Sequence, residues 1–119
     1  MKQLIIYIEI HEKRPFNFEN RVLMQIKKKY PDKLILDLDN FSSPDLFKHT
    51  EQACDHSKNI SLIINSKEKD LPLGQVLNFI NKSLRKKDLL IDSYLLGEHS
   101  IAKKMLQRTN SFTVCDEIV

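Results

Sequence analysis

Two hydrophobic rhythms alternate along this chain. The first is a near-continuous apolar run from Gln3 to Ile10, interrupted by Glu9 close to its end, which predicts a strand covered on both faces. The second follows at once: Phe18, Val22, Ile26 and Tyr30 recur four apart with Leu23 beside them, predicting a helix over 18–30 that Pro31 ends. Asn17 is its expected N-cap, and Lys27, Lys28 and Lys29 suit its last turn. Strict alternation over 33–39, with Leu34, Leu36 and Leu38 facing one way, predicts an edge strand with one wet side. Ser43 before Pro44 and Asp45 marks the next helix start, with Leu46, Phe47, Thr50, Ala53 and Cys54 as its inward stripe.

The pattern then repeats. A third strand is predicted over 59–65, and a helix over 73–86 packing through Leu73, Val76, Leu77, Ile80 and Leu84. A fourth strand spans 89–96. The fourth helix, 101–108, has Ser100 as its expected N-cap and packs through Ile101, Ala102, Met105 and Leu106. A short half-polar strand follows at 112–116. Strict alternation argues for one α/β domain over 1–119, a three-layer doubly wound parallel sheet with right-handed crossovers. The most uniformly apolar strands, one and three, belong at the centre. The alternating ones, two and five, belong at the edges. That is the flavodoxin-like order 2-1-3-4-5, preferred to 3-2-1-4-5, which would bury the amphipathic second strand.

In that order helix one covers one face and helices two to four the other. The sequence given stops soon after strand five, so no C-terminal fifth helix is expected, and strands three to five should be bare on the helix-one side. The expected contact residues there are Leu90, Asp92, Tyr94, Phe112 and Val114. Uncovered sheet marks an interaction surface, and the commonest soluble assembly is a homodimer. The reading is therefore a non-catalytic interaction or regulatory module that self-associates or docks a protein partner.

Composition narrows the alternatives. With 41% hydrophobic and 29% charged residues the chain is that of a folded globular domain. Its net charge is +3, and 15 of its 19 basic residues are Lys, which argues against a nucleic-acid partner with its dense Arg-rich face. No apolar run is long enough to span a bilayer. Two distant cysteines, Cys54 and Cys115, suit a reducing cytoplasm.

Candidate chemistry gathers where ligands bind in such sheets, beyond the carboxyl ends of the strands at the switch point between strands one and three. The groups expected there are Glu9, His11, Glu12 and Arg14, then Asn65 and Ser66, with His99 after strand four. Glu9 stands out as a carboxylate near the end of a central strand. No glycine-rich phosphate loop and no short metal-ligand spacing is present, so neither a cofactor nor a metal is expected. A phosphoacceptor receiver would need an Asp ending strand three, where this chain has Asn65.

One catalytic resemblance can be drawn on quoted residues. Asp37-Leu38-Asp39 ending strand two, Ser66 after strand three, Lys103 and Lys104 on helix four, and Asp116-Glu117 after strand five follow an order similar to that of haloacid-dehalogenase phosphatases. The resemblance implies an Asp37 nucleophile, Asp39 as acid/base, phosphate held by Ser66 and a lysine, and Mg2+ assistance. The chain departs from the family's pattern in having Asn40-Phe41 where Gly-Thr usually follows, and in carrying the acidic pair on an edge strand.

Overall fold

The structure is a computed structural model that describes residues 4–12, 21–86 and 88–115. Five strands and four helices alternate among them: β1 (Leu4–Ile10), α1 (Arg21–Lys29), β2 (Leu34–Asp39), α2 (Pro44–Asp55), β3 (Asn59–Ser66), α3 (Gln75–Leu84), β4 (Leu90–Gly97), α4 (Ser100–Leu106) and β5 (Ser111–Cys115). All strands are parallel, in the order β2-β1-β3-β4-β5. The expected order is therefore the observed one, with the two alternating strands at the edges. The Asn17 cap and Arg14 lie outside the described residues.

Register sorts the side chains into two layers. Leu4, Ile6, Ile8 and Ile10 of β1, Ile60, Leu62 and Ile64 of β3, and Ile91 and Leu95 of β4 turn to one side. There they meet Phe47 and Cys54 of α2, Val76, Phe79 and Ile80 of α3, and Ala102, Met105 and Leu106 of α4. Phe47 and Phe79 form a tilted aromatic pair, ring centres 5.9 Å apart. The other side carries a smaller core in which Ile5, Tyr7, Ile63 and Leu96 pack with Leu23 and Ile26 of α1.

Local signals explain the helix starts. The Ser43 hydroxyl accepts from the Leu46 N–H at 3.3 Å, with Pro44 in the first turn. Three expectations about inward stripes need correction. Leu46 of α2, Leu77 of α3 and Ile101 of α4 are exposed. In α3 the buried residues are Val76, Phe79, Ile80 and Ser83, so the helix is rotated toward Phe79, whose larger ring buries more apolar surface than Leu77 would. α3 also begins later than expected, because Gly74 stands before it with φ +56°. A Cβ at that position would lie 2.9 Å from the Asn40 carbonyl oxygen, so the turn requires glycine.

α4 is capped by His99, not by Ser100. The buried imidazole accepts from the Ala102 N–H through Nδ1 at 3.1 Å. The proton therefore resides on Nε2, which donates to the Leu71 carbonyl at 2.7 Å. The turn from α4 into β5 is tied by Ser93, a fully buried hydroxyl on β4 within bonding distance of Thr109 Oγ1 (2.6 Å) and the Ser111 carbonyl (3.1 Å). No helix among the described residues is long and apolar enough to cross a membrane. The two cysteines, both among the described residues, lie on opposite sides of the sheet and form no disulfide.

Candidate functional site

Two regions compete as the site: the switch point and the α1-side face over β3–β5. At the switch point, the loops after β1 and β3 enclose a half-open cleft of about 270 Å3 lined by Glu9, His11, Glu12, Asn65, Lys67 and Glu68, among others. Register places Glu9 opposite Asn65, which brings the two strand ends together. His11 Nε2 stands 3.9 Å from a Glu9 carboxylate oxygen, both side chains about three-quarters buried.

The cleft is braced by Asn40, a residue the sequence pattern does not single out. Its Oδ1 accepts from the His11 N–H at 2.8 Å, and its Nδ2 donates to the carbonyls of His11 (2.8 Å) and Pro72 (2.7 Å). One amide thus holds the loop after β1 against the segment leading into α3. Its signal in the sequence was slight, an Asn following a strand, which commonly means a turn.

Other expected site residues serve the architecture. Asn65 Nδ2 donates to the Tyr7 hydroxyl at 2.9 Å, giving that buried phenol its partner. The Ser66 hydroxyl is buried and donates to the Glu68 carbonyl at 2.8 Å, shaping its own loop. Close by, Gly97 holds φ +87°, where a Cβ would collide with the Ser66 carbonyl oxygen. His99 has both ring nitrogens engaged, one on the carbonyl of Leu71 at the edge of the cleft, and it lines a separate hollow of about 290 Å3 with Lys69, Lys103 and Val114. Glu9, His11, Glu12 and Asn65 are therefore brought together, while Ser66 and His99 are not part of that lining.

A second group of carboxylates lies on the α1 side. Asp37 and Asp39 of β2 share that face with Glu9, and register sets Asp39 directly opposite Glu9. The Asp37 carboxyl, on a side chain that remains exposed, is pushed above its ordinary value, first by the protein packed around it and then by Glu9 and Asp39; Lys27 and His11 pull the other way. Asp39 is occupied locally, accepting from the Phe41 N–H at 2.7 Å. Among the described residues no set of three or more His, Cys, Asp or Glu converges to hold a metal ion. Of the phosphatase-like elements, Asp116 and Glu117 lie outside the described residues, and the others lie apart. The acidic pair is on edge strand β2, the Ser66 hydroxyl points to Glu68, and Lys103 borders Val114 on the α4 side.

The face over β3–β5 is built differently. On the α1 side, Tyr7 is followed across the sheet by Ile63, Tyr94 and Thr113, and Ile5 by Ser61, Asp92 and Ser111. Moving away from α1, each row grows more exposed. Leu90 is 54% exposed, whereas its neighbour Ile91, on the other face, is 3% exposed. Asp92, Ser111 and Thr113 are exposed and Tyr94 is half-buried. The Ser111 hydroxyl donates to Asp92 at 2.8 Å. The phenol of Tyr94 is pushed up by burial first, then by Asp92, Tyr30 and Cys115. Of the expected contact residues, Leu90, Asp92 and Tyr94 share this face. Phe112 and Val114 turn to the opposite side, beside Ser93 and Leu95.

No family model matches the chain, and neither a curated protein nor a solved structure does.

Proposed function

We propose that this domain is a non-catalytic interaction module of a reducing, cytoplasmic setting, which self-associates through the α1-side face of β3–β5. The carrying observation is the contrast across one strand. Leu90 is 54% exposed while Ile91 is 3% exposed, so β4 is finished on one face and left open on the other. Leu90 and Tyr94 give that face apolar contact area, and Asp92 with Ser111 gives it a polar margin, the mixture found at non-obligate interfaces. Asn65, Ser66 and His99 at the strand ends are engaged in loop and helix architecture, while Glu9, His11 and Glu12 line the cleft. The test is a concentration series by size exclusion with light scattering. Wild type should gain mass with concentration, and Leu90→Arg should stay monomeric with an unchanged melting temperature. A Leu90→Arg chain that associates like wild type sinks the assignment to this face.

A second reading rests on the cleft itself. Glu9 and His11, 3.9 Å apart over about 270 Å3, could bind a small polar ligand, or act as an acid and base pair upon one. The Mg-dependent phosphoryl transfer that the phosphatase resemblance implies is a separate chemistry, centred on Asp37 and not on this cleft. Hydrolysis of a generic phosphate ester that requires Mg2+ and disappears in Asp37→Asn would establish it, and no hydrolysis in wild type would remove it.

A further inference from the structure

The loop that leaves β3 forms a wall between two hollows. Lys67, Glu68 and Leu71 line the switch-point cleft, while Lys69 lines the hollow beside α4. Among the described residues this wall is tied to the start of α4 at three points. The Glu98 N–H donates to the Ser66 carbonyl at 2.9 Å, the Ser100 N–H to the Lys69 carbonyl at 3.0 Å, and His99 Nε2 to the Leu71 carbonyl at 2.7 Å. Only the third tie is made by a side chain, and the same ring caps α4 through Nδ1. At the next residue the Pro72 carbonyl is held by Asn40 Nδ2 at 2.7 Å. The Asn40 amide has no proton to gain near neutral pH, whereas an imidazole does.

We infer that His99 is an acid-operated latch between α4 and the wall of the cleft. Its place admits the neutral ring alone. Nδ1 accepts from the Ala102 N–H at 3.1 Å, so a proton added at Nδ1 sets two donors against each other. The protonated ring must leave, and there is space for it. The hollow of about 290 Å3 beside it is lined by Glu98, whose carboxylate suits an imidazolium. Of the charged groups among the described residues, Glu98 next to it in the chain, Lys69 of the loop and Lys103 of α4 border that hollow. β4 and β5 contribute Leu95, Gly97 and Val114, which carry no charge. Departure of the ring breaks two contacts at once: the Ala102 N–H loses its acceptor and the Leu71 carbonyl its donor. The first turn of α4 then frays and residues 67–71 loosen, while Pro72 stays on Asn40. The cleft is thereby remodelled through its Lys67, Glu68 and Leu71 side and not through Glu9 or His11. The device depends on neither functional reading above.

The test follows the whole wild-type chain by NMR from about pH 8 to about pH 5, the range in which imidazoles titrate. At the upper end the His99 ring nitrogens should report the Nε2–H tautomer. On acidification the amides of 67–71 and 99–102 should move in one transition that coincides with protonation of that ring. Exchange at the Ala102 amide, corrected for the pH dependence of intrinsic exchange, should quicken about fivefold or more. His99→Asn keeps a cap but cannot titrate, so the transition should vanish in it. His11→Gln removes the imidazole that lines the cleft and should leave the transition in place. An Nδ1–H tautomer at the upper end overturns the latch, as does a ring that stays neutral throughout or protonates without moving those amides. A transition that persists in His99→Asn, or is lost in His11→Gln, also overturns it. Should His99→Asn not fold, the wild-type ring and amide signals decide.

Discussion

The two faces of this sheet share the same strands but meet different requirements. On the side of α2, α3 and α4, Ile60, Leu62 and Ile64 of β3 and Ile91 and Leu95 of β4 are all buried, and the one hydroxyl among their β4 neighbours, Ser93, is fully hydrogen-bonded. On the α1 side the same two strands offer Ser61, Asp92 and Leu90 as well as Ile63 and Leu96. A face that no described helix covers need not be greasy. Here a polar row, Ser61–Asp92–Ser111, runs outward from Ile5, which packs on α1, and Leu90 and Tyr94 project from either side of it. Such a face tolerates water and still offers apolar contact, which favours a reversible association over an obligate one.

Substitutions on the two faces should therefore behave differently. The largest effect is expected from Phe79→Ala, which removes a fully buried ring from the three-helix side and should cost about 3–5 kcal/mol in chemical denaturation. Leu90→Ala, across the same sheet, should change monomer stability by no more than about 0.5 kcal/mol. Equal losses from the two would mean that Leu90 is packed, and the contrast would fail.

A middle-sized effect is expected from His99→Ala. It deprives the Ala102 N–H of its acceptor and the Leu71 carbonyl of its donor, and should cost about 1–3 kcal/mol. His99→Asn keeps the cap without the reach to Leu71 and should fall between the two. A variant as stable as wild type would show that the imidazole is not holding α4, and would return His99 to the list of candidate ligands.

The smallest effect concerns the acidic end of the α1 side. The folded state raises the Asp37 pKa above its ordinary value of 3.8, so folding disfavours its ionised form. That part of the stability is fully present below pH 3.8 and is lost as pH rises through the raised folded-state value. Asp37→Asn removes the dependence. It should stabilise the domain near neutral pH by at most about 0.5 kcal/mol, because the group is exposed and screened. Melting temperatures of the two proteins should converge by about pH 3. A variant less stable than wild type at neutral pH would mean that the Asp37 carboxylate has a favourable partner.

The architecture was largely legible from the amino-acid order because it rests on periodicity. Apolar β1 and β3 had to be central, and alternating β2 had to be an edge. Helix faces were less legible, since Leu77 and Phe79 fit α3 stripes of nearly equal quality and only tertiary packing chooses between them. The site was legible in part. Switch-point logic brought Glu9, His11, Glu12 and Asn65 to one cleft. It did not reveal that Ser66 and His99 are engaged in loop and helix capping, nor that Asn40 binds two loops together. The Asn40 brace and the His99 bond to Leu71 depend on contacts 28 to 32 residues apart in sequence, beyond the reach of any local pattern, whereas the Ser66 bond to Glu68 and the His99 cap on Ala102 are local contacts. The placement of Phe112 and Val114 followed from register, which a strand count does not supply.

Whether the α1-side face of β3–β5 is a contact surface is decided by a dilution series of the wild-type chain followed by amide NMR from millimolar to micromolar concentration. Concentration-dependent shifts should cluster at Ser61, Leu90 to Tyr94 and Ser111 to Val114, with α2, α3 and the Glu9–His11 cleft unchanged. Spectra that do not move on dilution, or shifts that gather on the three-helix side, would contradict it.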